Sequence, residues 1–359
     1  HIDCLDKIRE VQPRLPTVEK TVIVQFLKEK TIADMAGETI EAGDFIAPYK
    51  PEPISFERVA FNHPLFIMFS SGTTGTPKCI VHGHGGTLLQ HLKELQLQSD
   101  IKKDDKVFYY TTCGWMMWNW LVTTLACQAT VMLYDGSPFY PDGYALWDYT
   151  TKHQCKFFGA GAKYYDALKN QNMTPGSKYD LSALEVISST GSPLVHETFD
   201  YIYDHIKTDV HVSSISGGTD IISCFVLGNP ISPVWRGEIQ GAGLGMAIEV
   251  FDDEGQAKGT GEGAGELVCT KAFPSMPVGF WNDPQDSKYR QAYFERYPNI
   301  WHHGDWIEKT IHNGYIIHGR SDATLNPGGV RIGTAEIYRQ VEQIEEQIRS
   351  CRIVNPVTG

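Results

Sequence analysis

The chain has 359 residues, 42% of them apolar, and sets 31 Lys and Arg against 43 Asp and Glu for a net charge of -12. That size supports a large buried core spread over more than one ordinary domain. The acidic balance excludes a general nucleic-acid or anionic-membrane surface, so a polyanionic ligand needs locally clustered cations.

Residues 4–11 read as a helix, and Val22, Ile23, Val24, Phe26 and Leu27 as an apolar run resembling the last unit of an upstream α/β layer. Residues 37–53, rich in Gly, Pro and acidic side chains, read as a surface crossing. Residues 65–69 and 79–81 are apolar runs suited to buried strands. Between them lies Ser70-Ser71-Gly72-Thr73-Thr74-Gly75-Thr76-Pro77-Lys78. Gly72 and Gly75 let backbone amides face an anion, the hydroxyls of Ser71, Thr73 and Thr74 add donors, and Lys78 adds charge. This phosphate loop is not of the Walker type, because Pro77 stands where that motif needs glycine and Cys79 where it needs Ser or Thr. A Gly/Thr hairpin with a solvated lysine is the bland alternative, disfavoured by the length of the ordered match.

Leu88, Leu89, Leu92, Leu95 and Leu97 give 85–97 a helical apolar spacing, and 107–112 reads as a strand. Cys113-Gly114-Trp115-Met116-Met117-Trp118-Asn119-Trp120 then reads as a loop, whose Trp118 and Trp120 are at least as well explained as core aromatics. Alternation continues with strands at 129–134, 157–160 and 186–190 and helices at 144–152, 164–169 and 196–205. Mixed α/β layers with largely parallel sheets follow. Past Gly228, short apolar runs such as 247–251 and 265–270, separated by glycine-rich turns, imply a small β-rich subdomain over 229–318. Residues 334–349 have a charged, amphipathic helical pattern that begins a new unit. The division expected is a large domain at 1–321 and the start of a second at 322–359.

Eight cysteines (Cys4, Cys79, Cys113, Cys127, Cys155, Cys224, Cys269, Cys351) form no Cys-x-x-Cys pair and read as reduced core thiols. No apolar run reaches membrane-spanning length, and a cytoplasmic location is the default expectation. The start at His1 and the end at Gly359 suggest a piece of a longer chain. His82-Gly83-His84 and His302-His303 lack the further ligands of a zinc site. Gly241-Ala242-Gly243-Leu244-Gly245 reads as a turn into a strand, without the spacing of a dinucleotide loop.

Four further segments follow the phosphate loop in order: Thr190-Gly191-Ser192-Pro193-Leu194, Ser216-Gly217-Gly218-Thr219-Asp220, His302-His303-Gly304-Asp305, and Gly319-Arg320-Ser321-Asp322 with Gly328-Gly329-Val330-Arg331. Together the five resemble the adenylate-forming superfamily of acyl-CoA synthetases, luciferases and peptide-synthetase adenylation domains, over nearly the whole chain. The resemblance implies that Ser71, Gly72, Thr73, Thr74, Gly75 and Lys78 hold the ATP phosphates. It implies that Gly191, Ser192 and Pro193 pack on adenine and that Gly218 and Thr219 lie at the α-phosphate. Asp220 stands where the family places a Mg²⁺-associated carboxylate, there usually a longer glutamate. Asp305 and Arg320 would contact the ribose and Arg331 a phosphate. Asp322 matches the hinge, and Gly329 the coenzyme A channel. Lys78, Thr219, Asp220 and Arg331 are thus the expected catalytic groups, with MgATP and coenzyme A as co-substrates.

Val330-Arg331-Ile332-Gly333-Thr334-Ala335-Glu336-Ile337 is similar to the short-chain branch, whose acyl pocket would here be lined by Trp115, Met116 and Met117. Gly217 stands where acetate-specific members close the pocket with tryptophan, so a deeper pocket is expected. That opening, with segments 279–284, 293–298 and 326–329, implies ligation of acetoacetate to coenzyme A through an acyl-adenylate. Another short acid, or adenylate binding without turnover, is the alternative. The resemblance also implies sequence before His1 and, past Gly359, most of a C-terminal domain with a further adenylation lysine.

Overall fold

A computed structural model describes residues 4–25, 38–70 and 77–321. The chain divides into two units, 1–58 and 59–359. In the first, the expected helix forms at Leu5–Val11 and runs into a short 3-10 turn, Gln12–Arg14. Strands β1 (Thr21–Ile23) and β2 (Thr39–Glu41) pair in parallel. A helical turn, Ala42–Ile46, follows, capped by the Glu41 carboxylate, which accepts from the Gly43 amide at 2.6 Å. The surface crossing expected at 37–53 therefore contains a strand and a capped turn, because Glu41 can satisfy an amide that would otherwise be exposed.

The second unit opens with β3 (Pro64–Ser70) antiparallel to β4 (Lys78–Gly83), Ser70 facing Lys78 across the pair. The phosphate loop thus joins two paired strand ends, its residues 71–76 lying outside the described ones. Only β4 is the buried strand expected: Ile80 and Val81 are in the core, whereas β3 lies at a sheet edge and exposes Leu65, Ile67 and Phe69, the last at 68%. The period of two places these alternate side chains on the face that nothing among the described residues covers.

The helix predicted at 85–97 forms at His84–Leu92 and continues as a π-helical stretch, Lys93–Gln98. Its inward face differs from the expected leucine stripe. Leu88, Leu89 and Leu97 are exposed, while Thr87, Gln90, His91, Glu94, Leu95 and Gln98 are buried. The polar groups go inside because each of Gln90, His91, Glu94 and Gln98 finds a hydrogen-bond partner there.

The parallel sheet is made of β5 (Lys106–Tyr109), β6 (Thr130–Met132), β7 (Phe157–Gly161), β8 (Val186–Thr190) and β9 (His211–Ser214), in spatial order β6-β5-β7-β8-β9. Helices Ala145–His153, Ala162–Asn170 and His196–Tyr201 connect its strands. Trp147 stacks on Phe158 at 4.6 Å and 17° in the core between helix and sheet. Residues Met116–Thr123, read as loop, form a helix. Trp120 is buried there as a core aromatic, and Trp115 at the helix start is 64% exposed.

Beyond β9 the pairing is antiparallel, so parallel pairing is confined to the five-stranded sheet and the β1–β2 pair. β10 (Ser216–Gly218), β11 (Ser223–Leu227) and β12 (Gly241–Ala242) form a small sheet. The glycine-rich stretch 241–245 is indeed a strand and turn, with Gly245 at φ +78°. β13 (Ile248–Phe251) and β14 (Ala264–Cys269) pair, then β15 (Gly279–Phe280) returns to β4. β16 (Trp301–Lys309) and β17 (Tyr315–Arg320) complete a sheet of order β13-β14-β16-β17. The helix Ser287–Phe294 before β16 was not among the expected elements.

Cys127, Cys155, Cys224 and Cys269 are buried free thiols, but Cys4 and Cys113 are exposed and Cys79 is half-buried, which corrects the reading of all of them as core residues. Among the described residues no helix is long and apolar enough to cross a membrane. The helical pattern at 334–349 lies outside the described residues.

Candidate functional site

Open parallel sheets gather binding groups at the carboxyl ends of their strands. β8 ends there at Thr190, whose hydroxyl donates to the Ile215 carbonyl at 2.9 Å. Gly191 follows with φ +88°, a conformation only glycine takes without strain. The turn Gly191-Ser192-Pro193 is thereby tied next to the segment that enters β10 and leads to Gly218, Thr219 and Asp220.

A turn closes at 218–222, with the Ile221 and Ile222 amides donating to the Gly218 and Thr219 carbonyls at 3.2 Å each. Buried histidines surround it. His82 Nε2 lies 2.9 Å from the Thr219 carbonyl oxygen and His91 Nε2 2.5 Å from that of Ile222. A carbonyl only accepts, so both rings donate from Nε2. Burial lowers His82 to about 4 and depresses His91 and His303, keeping all three rings neutral near pH 7. His82 Nδ1 and His303 Nδ1 are buried without a hydrogen-bond partner among the described residues, which makes a second ring proton costly. His82 and His303, weighed in sequence as metal ligands, therefore act as supports.

Lys78, the first residue of β4, pairs its ammonium with the Asp220 carboxylate. The Tyr293 hydroxyl donates to the same carboxylate oxygen at 2.5 Å and receives a bond from Lys78 at 3.4 Å. Tyr293 is buried and stacks on Trp301 at 3.8 Å and 14°, which fixes its ring. Burial pushes the Asp220 carboxyl up, but His303, the Lys78 ammonium and the Tyr293 hydroxyl outweigh it and hold the group below the usual carboxylate range. The Lys78 ammonium and the Tyr293 hydroxyl act on it directly, both bonding one carboxylate oxygen. Tyr293 was not among the expected site residues; its place in the segment 293–298 was the only signal.

Asp305 on β16 faces Arg320 on β17, and Arg320 Nη1 donates to Asp305 Oδ1 at 3.1 Å and to the His303 carbonyl at 3.0 Å. Gly304 between them has φ +83°, and a Cβ there would meet the Arg320 guanidinium at 2.7 Å. His303 Nε2 is 3.6 Å from Asp305 Oδ2 and would lie 3.7 Å from a Cβ on Gly218. The structure thus brings Lys78, Gly218, Thr219, Asp220, Asp305 and Arg320 into one connected constellation. His302, by contrast, bonds Glu266 at 3.0 Å, together with Arg296 at 2.5 Å and the Ser321 hydroxyl.

In the expected acid pocket, Met117 is buried and Met116 half-buried, while Trp115 has too much exposure to serve as a closed wall by itself. Gly217 is required for a reason the sequence did not show. A Cβ there would lie 2.0 Å from the Ser223 carbonyl oxygen, because β10 and β11 approach so closely. Ser71, Gly72, Thr73, Thr74, Gly75, Asp322, Gly329 and Arg331 fall outside the described residues.

Among the described residues, no group of three or more His, Cys, Asp and Glu is arranged to hold a metal ion. Mg²⁺ binds through oxygen, commonly one or two carboxylates with water and phosphate oxygens completing its shell. Asp220, kept ionised beside Lys78, fits that mode as a single protein ligand.

The AMP-binding enzyme family matches residues 1–276. An acetoacetyl-coenzyme A synthetase of Rhizobium meliloti (strain 1021) is 58% identical over 348 residues, covering 96% of this chain and 52% of that protein. The corresponding protein of Gallus gallus is 48% identical over 348 residues, covering 95% and 52%. The solved structure of the Streptomyces lividans acetoacetyl-CoA synthetase superposes with a TM-score of 0.87 at 41% identity, covering 95% of this chain and 52% of that one. The chain spans about half the length of these relatives.

Proposed function

The chain belongs to the AMP-binding enzyme family, and on that premise we propose that it is part of a ligase that joins acetoacetate to coenzyme A at the expense of ATP. The observation that carries this reading is the Lys78–Asp220–Tyr293 cluster, connected to Asp305 and Arg320. The names of the similar proteins support the substrate.

On this reading the acid's carboxylate attacks the α-phosphorus of ATP, forming a P–O bond as the bond to pyrophosphate breaks. The coenzyme A thiol then attacks the acyl carbon, and AMP leaves with the C–O bond electrons. Lys78 offsets the charge of the phosphates, and Thr219, held by the support of its carbonyl on His82, presents its hydroxyl to the α-phosphate. Gly191, Ser192 and Pro193 offer a small, stiff surface to adenine. The two Asp305 oxygens accept from the ribose hydroxyls, with Arg320 orienting them. Asp220 would hold Mg²⁺, which screens the phosphate charge when bound. The acyl chain would lie against Met116 and Met117, with Gly217 letting β10 sit close against β11 beside them. Arg331, Asp322 and Gly329 keep the phosphate, hinge and coenzyme A roles that the sequence suggested. A cytoplasmic location belongs to the same proposal.

ATP–pyrophosphate exchange in the full-length parent, compared for acetoacetate, acetate, propionate and butyrate at equal concentration, tests it. Preference for acetoacetate is the expected result. Preference for another acid discards the substrate and keeps the chemistry, and no exchange with any acid overturns the reading.

A further inference from the structure

The polar face that the helix His84–Leu92 and its continuation turn inward ends in a carboxylate that the nucleotide chemistry does not use. Glu94 is fully buried. Its Oε2 accepts from Trp120 Nε1 at 3.1 Å. Its Oε1 accepts from Gln90 Nε2 at 3.0 Å, from the Ser223 hydroxyl and from the Cys224 amide at 3.4 Å, with Lys93 Nζ 3.6 Å away. Every partner donates, so an ionised carboxylate satisfies them all and a protonated one does not. Burial first, and then the neighbouring Glu94, push the Cys224 thiol well above its usual range.

Apart from Gln90 and Lys93 on its own helical run, these donors come from two elements that carry, or pair with, the residues of the acid-pocket reading. Trp120 lies on the helix Met116–Thr123, which carries Met116 and Met117. Ser223 and Cys224 lie on β11, where Cys224 faces Gly217 across the ladder. Met117, Trp120, Ile215 and Cys224 also share one buried cluster. Apolar contact is non-directional and tolerates sliding, whereas several charge-assisted bonds converging on one carboxylate fix both elements in place. Stability alone does not account for such a group, because a well-packed apolar replacement of a buried ion is often neutral or better.

We propose that Glu94 is a positioning residue for acid selection: it ties the helix Met116–Thr123 to the β10–β11 hairpin and so sets the spacing of the two pocket walls. The inference rests on the acid-pocket reading given under the proposed function. Glu94→Gln keeps the volume but turns one acceptor into a donor facing donors. In the full-length parent it should raise the KM for acetoacetate about tenfold and cut the preference over butyrate by about the same factor, with the KM for ATP within about twofold of the parent's. Ser223→Ala should shift the acid terms in the same direction by less, and the double variant by less than the product of the two, since both act through one network.

Near-ultraviolet circular dichroism and thermal melts establish that each variant is folded. If Glu94→Gln does not fold, Ser223→Ala and Trp120→Phe carry the same test. Unchanged acid KM and selectivity in folded variants, or an equal rise in both KM values, overturns the proposal and leaves Glu94 a structural group. A parent that prefers another acid overturns the acetoacetate reading alone, and the variants are then compared on that acid. A parent that activates no acid overturns both.

Discussion

Lys78 and Asp220 neutralise each other in a largely buried setting, and removing either one uncovers the other. Lys78→Ala should therefore slow ATP–pyrophosphate exchange about 100-fold or more, the scale on which a fixed transition-state donor acts; a normal exchange rate would remove Lys78 from the chemistry. Tyr293→Phe is a finer probe, since it deletes one hydroxyl and keeps the ring stacked on Trp301. A rise of about tenfold in the KM for ATP is expected, corresponding to one charge-assisted hydrogen bond, with the KM for the acid unchanged. Lys78, Asp220, Asp305 and Arg320 were legible in sequence because each sits in a motif of fixed order. Tyr293 and Glu94 were not, because a tyrosine in an aromatic run and a glutamate in a charged helix look like core and surface until the tertiary contacts show what they touch.

At the scale of elements, the turn at 218–222 is held by rings from β4, the helix His84–Leu92 and β16, and those rings must remain neutral. His82 carries the sign of the effect. Its folded pKa, about 4, lies below the ordinary 6.5, so the folded state binds the proton less readily than the unfolded chain. The stability it contributes is present above pH 6.5 and is lost as pH falls towards 4, up to about 3 kcal/mol. Urea titrations between pH 7 and 4 should show that loss, and His82→Asn, which can donate without titrating, should flatten it. The close approach of β10 and β11 gives another expectation. Gly217→Ala, though small, should cost about 1–3 kcal/mol in denaturant unfolding, and Gly217→Trp can favour acetate only if β10 moves. Parallel β7 was legible as an apolar run, and β8 through its β-branched Val186, Ile187 and Thr190. The helix His84–Leu92 with its π-helical continuation was read with the right extent and the wrong face, since apolar periodicity cannot anticipate a buried polar network or a π-helical shift of register.

Across the whole molecule, the α/β layering was visible as alternating periodicity, whereas sheet membership was not, because pairing joins segments far apart in sequence. β15 leaves the β-rich part to pair with β4, and Tyr293 reaches Asp220 from the same part. The 359 residues taken alone should exchange pyrophosphate at least about 100-fold more slowly than the full-length parent, as expected if the remaining half supplies a further adenylation lysine; equal rates would refute this. The pairing of Gly279 with Val81 also bears on how the protein is made. A ribosome releases β4 early and the strand that covers its second edge only after the entire parallel sheet has emerged. The Lys78–Asp220–Tyr293 cluster, whose tyrosine emerges later still, is therefore among the last parts of the unit to form. A nascent chain stalled before residue 279 would present an uncovered β4 to chaperones, and no Tyr293 to complete the cluster at Asp220.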